Sequence, residues 1–187
     1  AAGLPNDSGI VPERPADIIN LSLGGRTNSQ LLAEAVQAAR DQGVIIIAAA
    51  GNNSSSQPNY PAANTGVVSV SAVDFAADLA FYSNYGDTID VAAPGGDTSK
   101  DLNADGYSDG VLSTIGDDSS GSIEMVYGFY QGTSMSAPHV AGVAALMKAV
   151  WPALTPDDFD VLLNSGALTT AIGDEHFFGA GLIDARK

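Results

Sequence analysis

The sequence predicts an α/β fold, an open and mostly parallel sheet with helices packed on both of its faces. Residues 44–48 form an uninterrupted apolar stretch rich in β-branched residues, which is typical of a strand buried on both faces of a parallel sheet. An amphipathic helical pattern precedes that stretch, and glycine-containing loops follow the predicted strands. The 187 residues, of which 45% are hydrophobic, suffice for one domain with a substantial core, so 1–187 is predicted to be a single domain.

The predicted elements follow one another in the order expected of such a sheet. A polar loop containing three prolines covers residues 1–17. The predicted strands lie at 18–23, 44–48, 66–73, 89–92, 111–115 and 125–131, the last two as an antiparallel pair. Asn28 or Ser29 caps a helix that runs from about residue 30 to residue 42, and Gly43 ends it. Thr155 caps a last amphipathic helix over 157–164.

The chain carries a formal net charge of −15, from 22 acidic and 7 basic residues. This surplus of negative charge argues against nucleic acid as a partner, and it favours solubility, cation binding or a saline environment. Because the chain has no cysteine, disulfides and thiolate metal sites are excluded. The sequence shows no membrane-spanning segment, no initiating methionine and no signal peptide, so we expect it to begin inside a larger product.

One stretch, residues 130–142, organises the rest of the chain. It continues into an apolar run without charge until Lys148, which predicts a helix buried on most sides. Gly132 and Thr133 supply the turn and the N-cap, so Ser134 lies in the first helical turn, and Pro138 removes the donor that the Ser134 carbonyl needs. A hydroxyl at the positive end of a helix suits a nucleophile whose product carries an oxyanion.

The segment Gly-Thr-Ser-Met-Ser-Ala-Pro-His-Val-Ala-Gly, residues 132–142, resembles the nucleophile motif of the subtilisin-like serine proteases, or subtilases. The resemblance implies a subtilisin-like fold and makes Ser134 the nucleophile. Residues 46–52 resemble the strand that delivers the oxyanion-hole asparagine of that family, which implies that Asn52 acts together with the Ser134 amide. The neighbouring Asn53 is disfavoured by the register of Ala-Ala-Gly-Asn.

The same resemblance implies a substrate-binding region. Residues 19–25 resemble the subtilase segment whose backbone pairs with extended substrate, an interaction that needs free amides and carbonyls. Asn59 stands where the family usually has a small residue at the foot of the specificity pocket, which puts the depth of the pocket in question. The predicted substrate-binding residues are Ser22, Leu23, Gly24, Ala49, Ala50, Gly51 and Asn59.

The family supplies its catalytic acid and base upstream of everything present here. The chain has no His-Gly-Thr-His, and Asp7-Ser8-Gly9 is rejected as the aspartate motif because no strand-forming run precedes it. His139 is expected to be a buried structural histidine that faces away from Ser134, and His176 a surface residue remote from the site. The chain is therefore interpreted as the C-terminal part of a catalytic domain, without the N-terminal part of the fold, and we expect no significant peptidase turnover from it alone.

An acidic segment over 98–122 predicts a calcium-binding insertion. Its oxygen-bearing residues stand at positions 1, 3, 5, 7 and 9 of an EF-hand-type loop, with Gly106 at the sharp turn. The predicted ligands are Asp101, Asn103, Asp105, Tyr107 and Asp109. Position 12 is Leu112 instead of glutamate, so Asp117 or Asp118 would have to close the shell; the alternative is a solvated acidic loop without metal.

Other functions stay open at this point. A sedolisin would place an aspartate where Asn52 stands, and an α/β-hydrolase would need glycine at position 136, which is serine. A non-catalytic, calcium-stabilised pseudoprotease or peptide-binding module is the main alternative to an endopeptidase. The expected partner is an extended polypeptide, with neither nucleic acid nor membrane, and self-association or a complementing N-terminal fragment is considered. Secretion is expected from the resemblance and the acidic character.

Overall fold

The computed structural model describes all residues 1–187, which form eight strands and four helices. The strands are β1 (Ile18–Leu21), β2 (Ile45–Ala49), β3 (Val68–Val73), β4 (Val91–Pro94), β5 (Val111–Asp117), β6 (Glu124–Tyr130), β7 (Thr169–Thr170) and β8 (Leu182–Ile183). The helices are α1 (Gln30–Asp41), α2 (Thr133–Val150), α3 (Pro156–Asn164) and α4 (Glu175–Phe178). The caps of two helices agree with the sequence, because Ser29 caps α1 and Thr155 forms a capping box with Asp158 at α3.

The central sheet has the order β1-β2-β3-β4-β8-β7. Strands β1 to β4 and β8 run parallel, and only β7 pairs antiparallel with its neighbour. The predicted mostly parallel sheet is therefore confirmed. Strands β5 and β6 form a separate antiparallel hairpin that leads directly into α2, as the sequence predicts.

Strand β2 shows why helices cover both faces of the sheet. Successive side chains of a strand point to opposite faces, and all five residues of β2 are buried. Ile45 and Ile47 pack in the main core with residues of α2 and α3, whereas Ile46 and Ala48 pack with Val36 of α1 on the other face. A fully apolar strand thus has an apolar partner on each side.

Helix α2 differs from its prediction. Its residues Ala137, Val140 and Ala144 are fully buried against the sheet, but the opposite face is open. That face carries an apolar stripe in which Leu146 is 60% exposed and Val150 is 85% exposed. The expectation of a helix buried on most sides is therefore wrong, because an apolar sequence does not tell which of its faces has a partner in the same chain.

Strand β1 is the edge strand of the sheet, and α2 contacts it. A strand at the edge of a sheet presents backbone donors and acceptors without partners. No helix of the structure is both long enough and apolar enough to cross a membrane.

Asp90, immediately before β4, gives the fold a pH dependence. Its Oδ2 accepts a hydrogen bond of 2.7 Å from the Ser69 amide. Burial raises the pKa of the Asp90 carboxyl to about 6, opposed by the Ser69 hydrogen bond and supported by the nearby Asp160 carboxylate. The folded state therefore holds this proton more tightly than the unfolded chain does.

We expect the contribution of Asp90 to stability to be complete below pH about 4 and to be lost as pH rises through 6. Asp90→Asn keeps an oxygen that accepts from Ser69 and cannot ionise. In urea unfolding, the unfolding free energy of the variant relative to that of the parent should rise by about 2 kcal/mol between those two pH values. Parallel pH profiles of the two unfolding free energies would contradict the prediction.

Candidate active site

The amino end of α2 is fixed by a buried tyrosine. The Gly132 amide donates to the Tyr82 hydroxyl and to the Gly95 carbonyl, both at 3.0 Å, and the Tyr82 hydroxyl donates to the Gly96 carbonyl at 2.7 Å. Burial raises the pKa of Tyr82 to about 12, so its phenol stays protonated. The N-cap is Gly132 alone, with φ of 144°, and Thr133 is the first helical residue, which corrects the shared role that the sequence predicts.

Ser134 and Ser22 exchange hydrogen bonds across the gap between α2 and the end of β1. The Ser134 hydroxyl donates to the Ser22 carbonyl at 3.3 Å, and the Ser22 hydroxyl donates to the Ser134 carbonyl at 2.7 Å. Pro138 has no amide to serve that carbonyl, as the sequence predicts. The Ser22 hydroxyl therefore replaces the missing helical donor.

This replacement predicts a coupling between Ser22 and Pro138. Ser22→Ala should lower the free energy of unfolding by about 0.5–1.5 kcal/mol, because it removes the protein donor to the Ser134 carbonyl. In a Pro138→Ala background the alanine amide can serve the carbonyl, so the same change should cost much less. Chemical unfolding of the four proteins in this double-mutant cycle measures the coupling, and equal costs in both backgrounds would contradict it.

The Asn52 side chain is oriented by Thr133. Its Oδ1 accepts from the Thr133 amide and from the Thr133 hydroxyl, both at 2.9 Å. Because a backbone amide can only donate, the atom facing it must be the oxygen, and Nδ2 is turned outward with no acceptor in the protein. A methyl group built on Gly132 would lie 3.3 Å from Asn52 Nδ2 and 3.7 Å from the Ser134 amide nitrogen. The two predicted oxyanion donors therefore border one small space.

Asn84 holds the Asn52 loop, and sequence reasoning missed it. Its buried side chain donates to the Ala50 carbonyl at 2.8 Å and accepts from the Asn53 amide at 2.9 Å. The segment around Asn84 matches no motif and follows a loop, so nothing in the sequence distinguishes this asparagine from a surface residue. Tyr82 was missed for the same reason.

The two predicted substrate-binding segments differ in what their backbones offer. Leu23 and Gly24 make no backbone hydrogen bond within the protein, so both are available to an added strand. In contrast, the Ala50 and Gly51 carbonyls accept from Asn84, and the Gly51 amide donates to the Thr133 hydroxyl. Ala49 is buried in β2. The second segment is thus a wall of the site and offers little for pairing.

The two histidines lie apart from Ser134. His139 is on the exposed face of α2, with its Nδ1 2.8 Å from the Met135 carbonyl, so the prediction of a buried histidine is wrong. His176 is exposed in α4 and lies 2.9 Å from the Asp87 carboxylate, in agreement with the expected surface position. Neither ring forms a hydrogen bond with the Ser134 hydroxyl.

Hydrogen bonds between carboxylates and amides fold the acidic loop. The Asp101 carboxylate accepts from the Asp105 and Gly106 amides at 3.2 and 3.0 Å, and the Asp109 carboxylate accepts from the Leu102 amide at 2.6 Å. The base of the loop is closed by two backbone bonds, in which Asp109 pairs with residues 97 and 100 at 2.9 and 2.8 Å.

No group of three or more His, Cys, Asp or Glu side chains is arranged to hold a metal ion. An EF-hand-type shell also uses amide and backbone oxygens, which here would come from Asn103 and Tyr107. The Asn103 amide donates to the Asp105 carboxylate at 2.9 Å, and its Oδ1 accepts from the Asp105 backbone amide at 3.0 Å. Calcium binding at this loop stays a prediction.

The contacts around Ser134 define a class of protein. A hydroxyl at the positive end of a helix, beside two amide donors without acceptors, suits acyl transfer through a nucleophile and an oxyanion site. The groups follow β1, β2 and β6 and meet at the carboxyl ends of the parallel strands, where open α/β sheets bind ligands. The fold is thus an open α/β sheet, and the predicted nucleophile and the predicted oxyanion donors lie together at its ligand-binding edge.

The chain belongs to the subtilase family, whose model matches residues 7–181. It is 35% identical over 170 residues to a thermostable alkaline protease of Halalkalibacterium halodurans, covering 91% of this chain and 41% of that protein. It is 38% identical over 174 residues to an extracellular protease of Xanthomonas campestris, covering 91% of this chain and 28% of that protein.

A solved structure of a protease from Pseudoalteromonas arctica has the same fold. It superposes with a TM-score of 0.87 at 40% identity, over 98% of this chain and 53% of that one. The chain thus spans about half the length, or less, of these relatives. The resemblance to subtilases and the subtilisin-like fold are confirmed.

Proposed function

We propose that this chain carries the nucleophile and the oxyanion site of a subtilisin-type serine endopeptidase. In this proposal the Ser134 oxygen attacks the carbonyl of a peptide bond, and Asn52 Nδ2 and the Ser134 amide donate to the resulting oxyanion. Collapse of the tetrahedral intermediate releases the amine and leaves an acyl-enzyme, which water then hydrolyses. The observation that carries the proposal is the pair of free donors bordering one space beside the Ser134 hydroxyl.

The proton of Ser134 needs a base, and no side-chain base of this chain is hydrogen-bonded to the Ser134 hydroxyl. The Ser134 hydroxyl donates only to the Ser22 carbonyl, and His139 and His176 are engaged elsewhere. A serine is a weak nucleophile without an adjacent base. We infer that the base and its orienting carboxylate come from a further segment, covalently joined or separate, and that this chain alone has no significant turnover.

The open face of α2 is the proposed docking surface for that segment. Its apolar stripe, with Leu146 and Val150 exposed, runs along the helix that carries Ser134 in its first turn. Strand β1, which contacts α2, is the unpaired edge of the sheet and can accept a further strand. Relatives about twice as long as this chain have room for such a segment. A second copy of this chain, bound through the same face, is the competing occupant.

An extended polypeptide is the proposed substrate, and its backbone would pair with Leu23 and Gly24, whose amides and carbonyls are free. The net charge of −15 offers nothing to a nucleic acid, and no role at a membrane is proposed. We propose secretion, since a relative is described as an extracellular protease.

A fluorophosphonate probe and a quenched peptide test the function. The chain alone should show neither labelling at Ser134 nor hydrolysis, and the whole gene product that contains it should show both. Hydrolysis by the chain alone that disappears in Ser134→Ala would contradict the need for a further segment. Failure of the whole product to react would contradict the endopeptidase. It would favour the alternative, a pseudoprotease or peptide-binding module. That alternative is supported by the hydrogen bond of the Ser134 hydroxyl, which goes to a backbone carbonyl and to no side-chain base.

We further propose that the acidic loop binds calcium through Asp101, Asn103, Asp105, Tyr107 and Asp109, and that the ion stabilises the insertion without taking part in the chemistry. Calcium at a hundredfold excess over its dissociation constant should then add about 2.7 kcal/mol to stability. Melting with and without calcium should show this gain in the parent and not in Asp105→Ala. Glu13→Ala, which removes an exposed carboxylate outside residues 98–122, is the matched control; a parent that melts identically with and without calcium would contradict the site.

A further inference from the structure

Two buried carboxylates at the carboxyl ends of adjacent strands share one cation. Asp74 follows β3 and Asp97 follows β4, and their side chains are only 3% and 1% exposed. The Lys100 ammonium lies 2.8 Å from Asp74 Oδ2 and 3.3 Å from Asp97 Oδ2, and no other basic side chain pairs with either carboxylate. Asp97 Oδ2 is fully buried and accepts no hydrogen bond. Lys100 alone therefore compensates the burial of two negative charges that face each other across it.

This ion cluster clamps the segment that leaves β4, residues 95–100, to the end of β3. The first two amides of the segment donate to the Val73 carbonyl at 2.9 and 3.1 Å. At its far end the Lys100 side chain reaches back to Asp74, the residue after Val73. The other oxygen of Asp74 accepts from two amides of its own loop at 3.0 and 3.2 Å, so this carboxylate is fixed. The 95–100 segment is thus held at both ends by residues of the same strand end.

The same segment contacts the amino end of α2. The Gly95 carbonyl accepts from the Gly132 amide, and the Gly96 carbonyl accepts from the Tyr82 hydroxyl, which in turn accepts from that amide. A methyl group built on Gly95 would lie 2.8 Å from the Tyr82 hydroxyl and 2.6 Å from Ser136 Oγ. The segment, the tyrosine and the helix are therefore packed without spare room. A displacement of the segment must move the Gly132 peptide with it.

Both predicted oxyanion donors depend on the orientation of Gly132. The next amide, that of Thr133, holds Asn52 Oδ1 and so turns Nδ2 outward, and the amide after it is that of Ser134. Because peptide planes are rigid, a rotation at Gly132 changes the direction of both donors at once. The donors stabilise an oxyanion only when they lie about 2.7–3.1 Å from its position, so small rotations matter.

We propose that Lys100 is a positioning residue for the oxyanion site, acting on the Gly132 peptide through the 95–100 segment and the Tyr82 hydroxyl. The inference rests on the proposed function, because it needs the two donors beside the nucleophile to stabilise an oxyanion. The Lys100 ammonium bonds only the two carboxylates and keeps the Gly96 carbonyl where Tyr82 can reach it. Without the ammonium the two buried carboxylates repel each other, so the segment should shift away from β3.

Steady-state hydrolysis of a quenched peptide by the whole gene product tests this role. Lys100→Met should lower kcat about 10-fold or more with KM nearly constant, because misplaced donors weaken binding of the transition state and not of the neutral substrate. Lys100→Arg can still join both carboxylates and should recover most of the lost kcat. Arg40→Met is the matched control. Arg40 of α1 also joins two carboxylates, but both belong to α3, which supplies no group of the site, so kcat should not change.

A double-mutant cycle with Tyr82→Phe tests the route. Tyr82→Phe removes the hydroxyl, leaves the ion cluster intact and should itself lower kcat about 10-fold. The double variant should lose clearly less than the product of the two single losses, because each change breaks the same link between Lys100 and Gly132. Every assay is run well below the unfolding midpoint of its variant, so that lost stability is not counted as lost kcat.

Several results would overturn the inference while leaving the proposed function intact. An unchanged kcat in Lys100→Met would show that Lys100 positions nothing, and an equal loss in Arg40→Met would attribute the effect to general destabilisation. Losses that multiply in the double variant would refute the route through Tyr82. Should Lys100→Met fail to fold, an unchanged kcat in Tyr82→Phe would refute that route by itself. A parent without hydrolysis contradicts the proposed function, and the inference falls with it.

Discussion

Replacement of Ser134 by alanine is expected to reduce peptide hydrolysis by the whole gene product about 10⁶-fold, the scale known for loss of the nucleophile in a subtilisin. Without the hydroxyl no acyl-enzyme can form, and only the oxyanion donors and substrate binding still favour the reaction. Because the Ser134 carbonyl keeps its bond from Ser22, the amino end of α2 should stay in place. Binding of product-like peptides should change little, so the loss should fall on kcat and leave KM nearly constant.

Ser136 provides the matched control for this experiment. It lies two residues further along α2, and its buried hydroxyl has no hydrogen-bond partner. Ser136→Ala therefore removes a hydroxyl from the same helix without breaking a contact, and hydrolysis should stay within a few-fold of the parent. Hydrolysis and probe labelling that survive in Ser134→Ala would show that another residue is the nucleophile. A loss of similar size in Ser136→Ala would trace the effect to the helix instead of the hydroxyl.

Much of the fold could be predicted because its signals are local. The β-branched run that becomes β2 needs no partner to be recognised as a buried strand, and Ser29 and Thr155 cap their helices through contacts within a few residues. The loss of a helical donor at Pro138 could also be predicted, since the missing amide is a property of proline itself. Which group supplies the new donor was not visible, because Ser22 is far away in the chain.

The wrong expectations and the missed residues have the same cause, because both depend on contacts between distant parts of the chain. The exposure of His139 and of the α2 stripe depends on whether another element covers that face, which composition does not encode. Tyr82 and Asn84 act through long-range hydrogen bonds to Gly132 and to the Asn52 loop. Their residue types are common in loops, so only the folded chain reveals what they position.

Removal of the Asn52 donor is expected to lower kcat by about 10²–10³-fold, the scale known for the equivalent donor of a subtilisin, with little change in KM. The donor acts on charge that develops in the transition state, whereas the bound peptide has only a neutral carbonyl. Asn52→Asp is the informative change, because its carboxylate can still accept from the Thr133 amide and hydroxyl. It keeps the contact that orients residue 52, removes the outward-facing donor and turns a negative charge towards the oxyanion, so its loss of kcat should be at least as large as that of the donor alone.

Asn53 serves as the control for that measurement, since its own link to the loop is the bond from its backbone amide to Asn84. Asn53→Ala should therefore keep kcat within a few-fold of the parent. Asn52→Ala loses both the donor and the hydrogen bonds from Thr133. The difference in unfolding free energy between Asn52→Ala and Asn52→Asp therefore measures the contribution of the Thr133 hydrogen bonds. If Asn52→Asp retained full kcat, Nδ2 could not be the oxyanion donor. Another group would then have to act with the Ser134 amide. In the structure, Asn52 Nδ2 is the side-chain donor that borders the same space as that amide, next to Gly132.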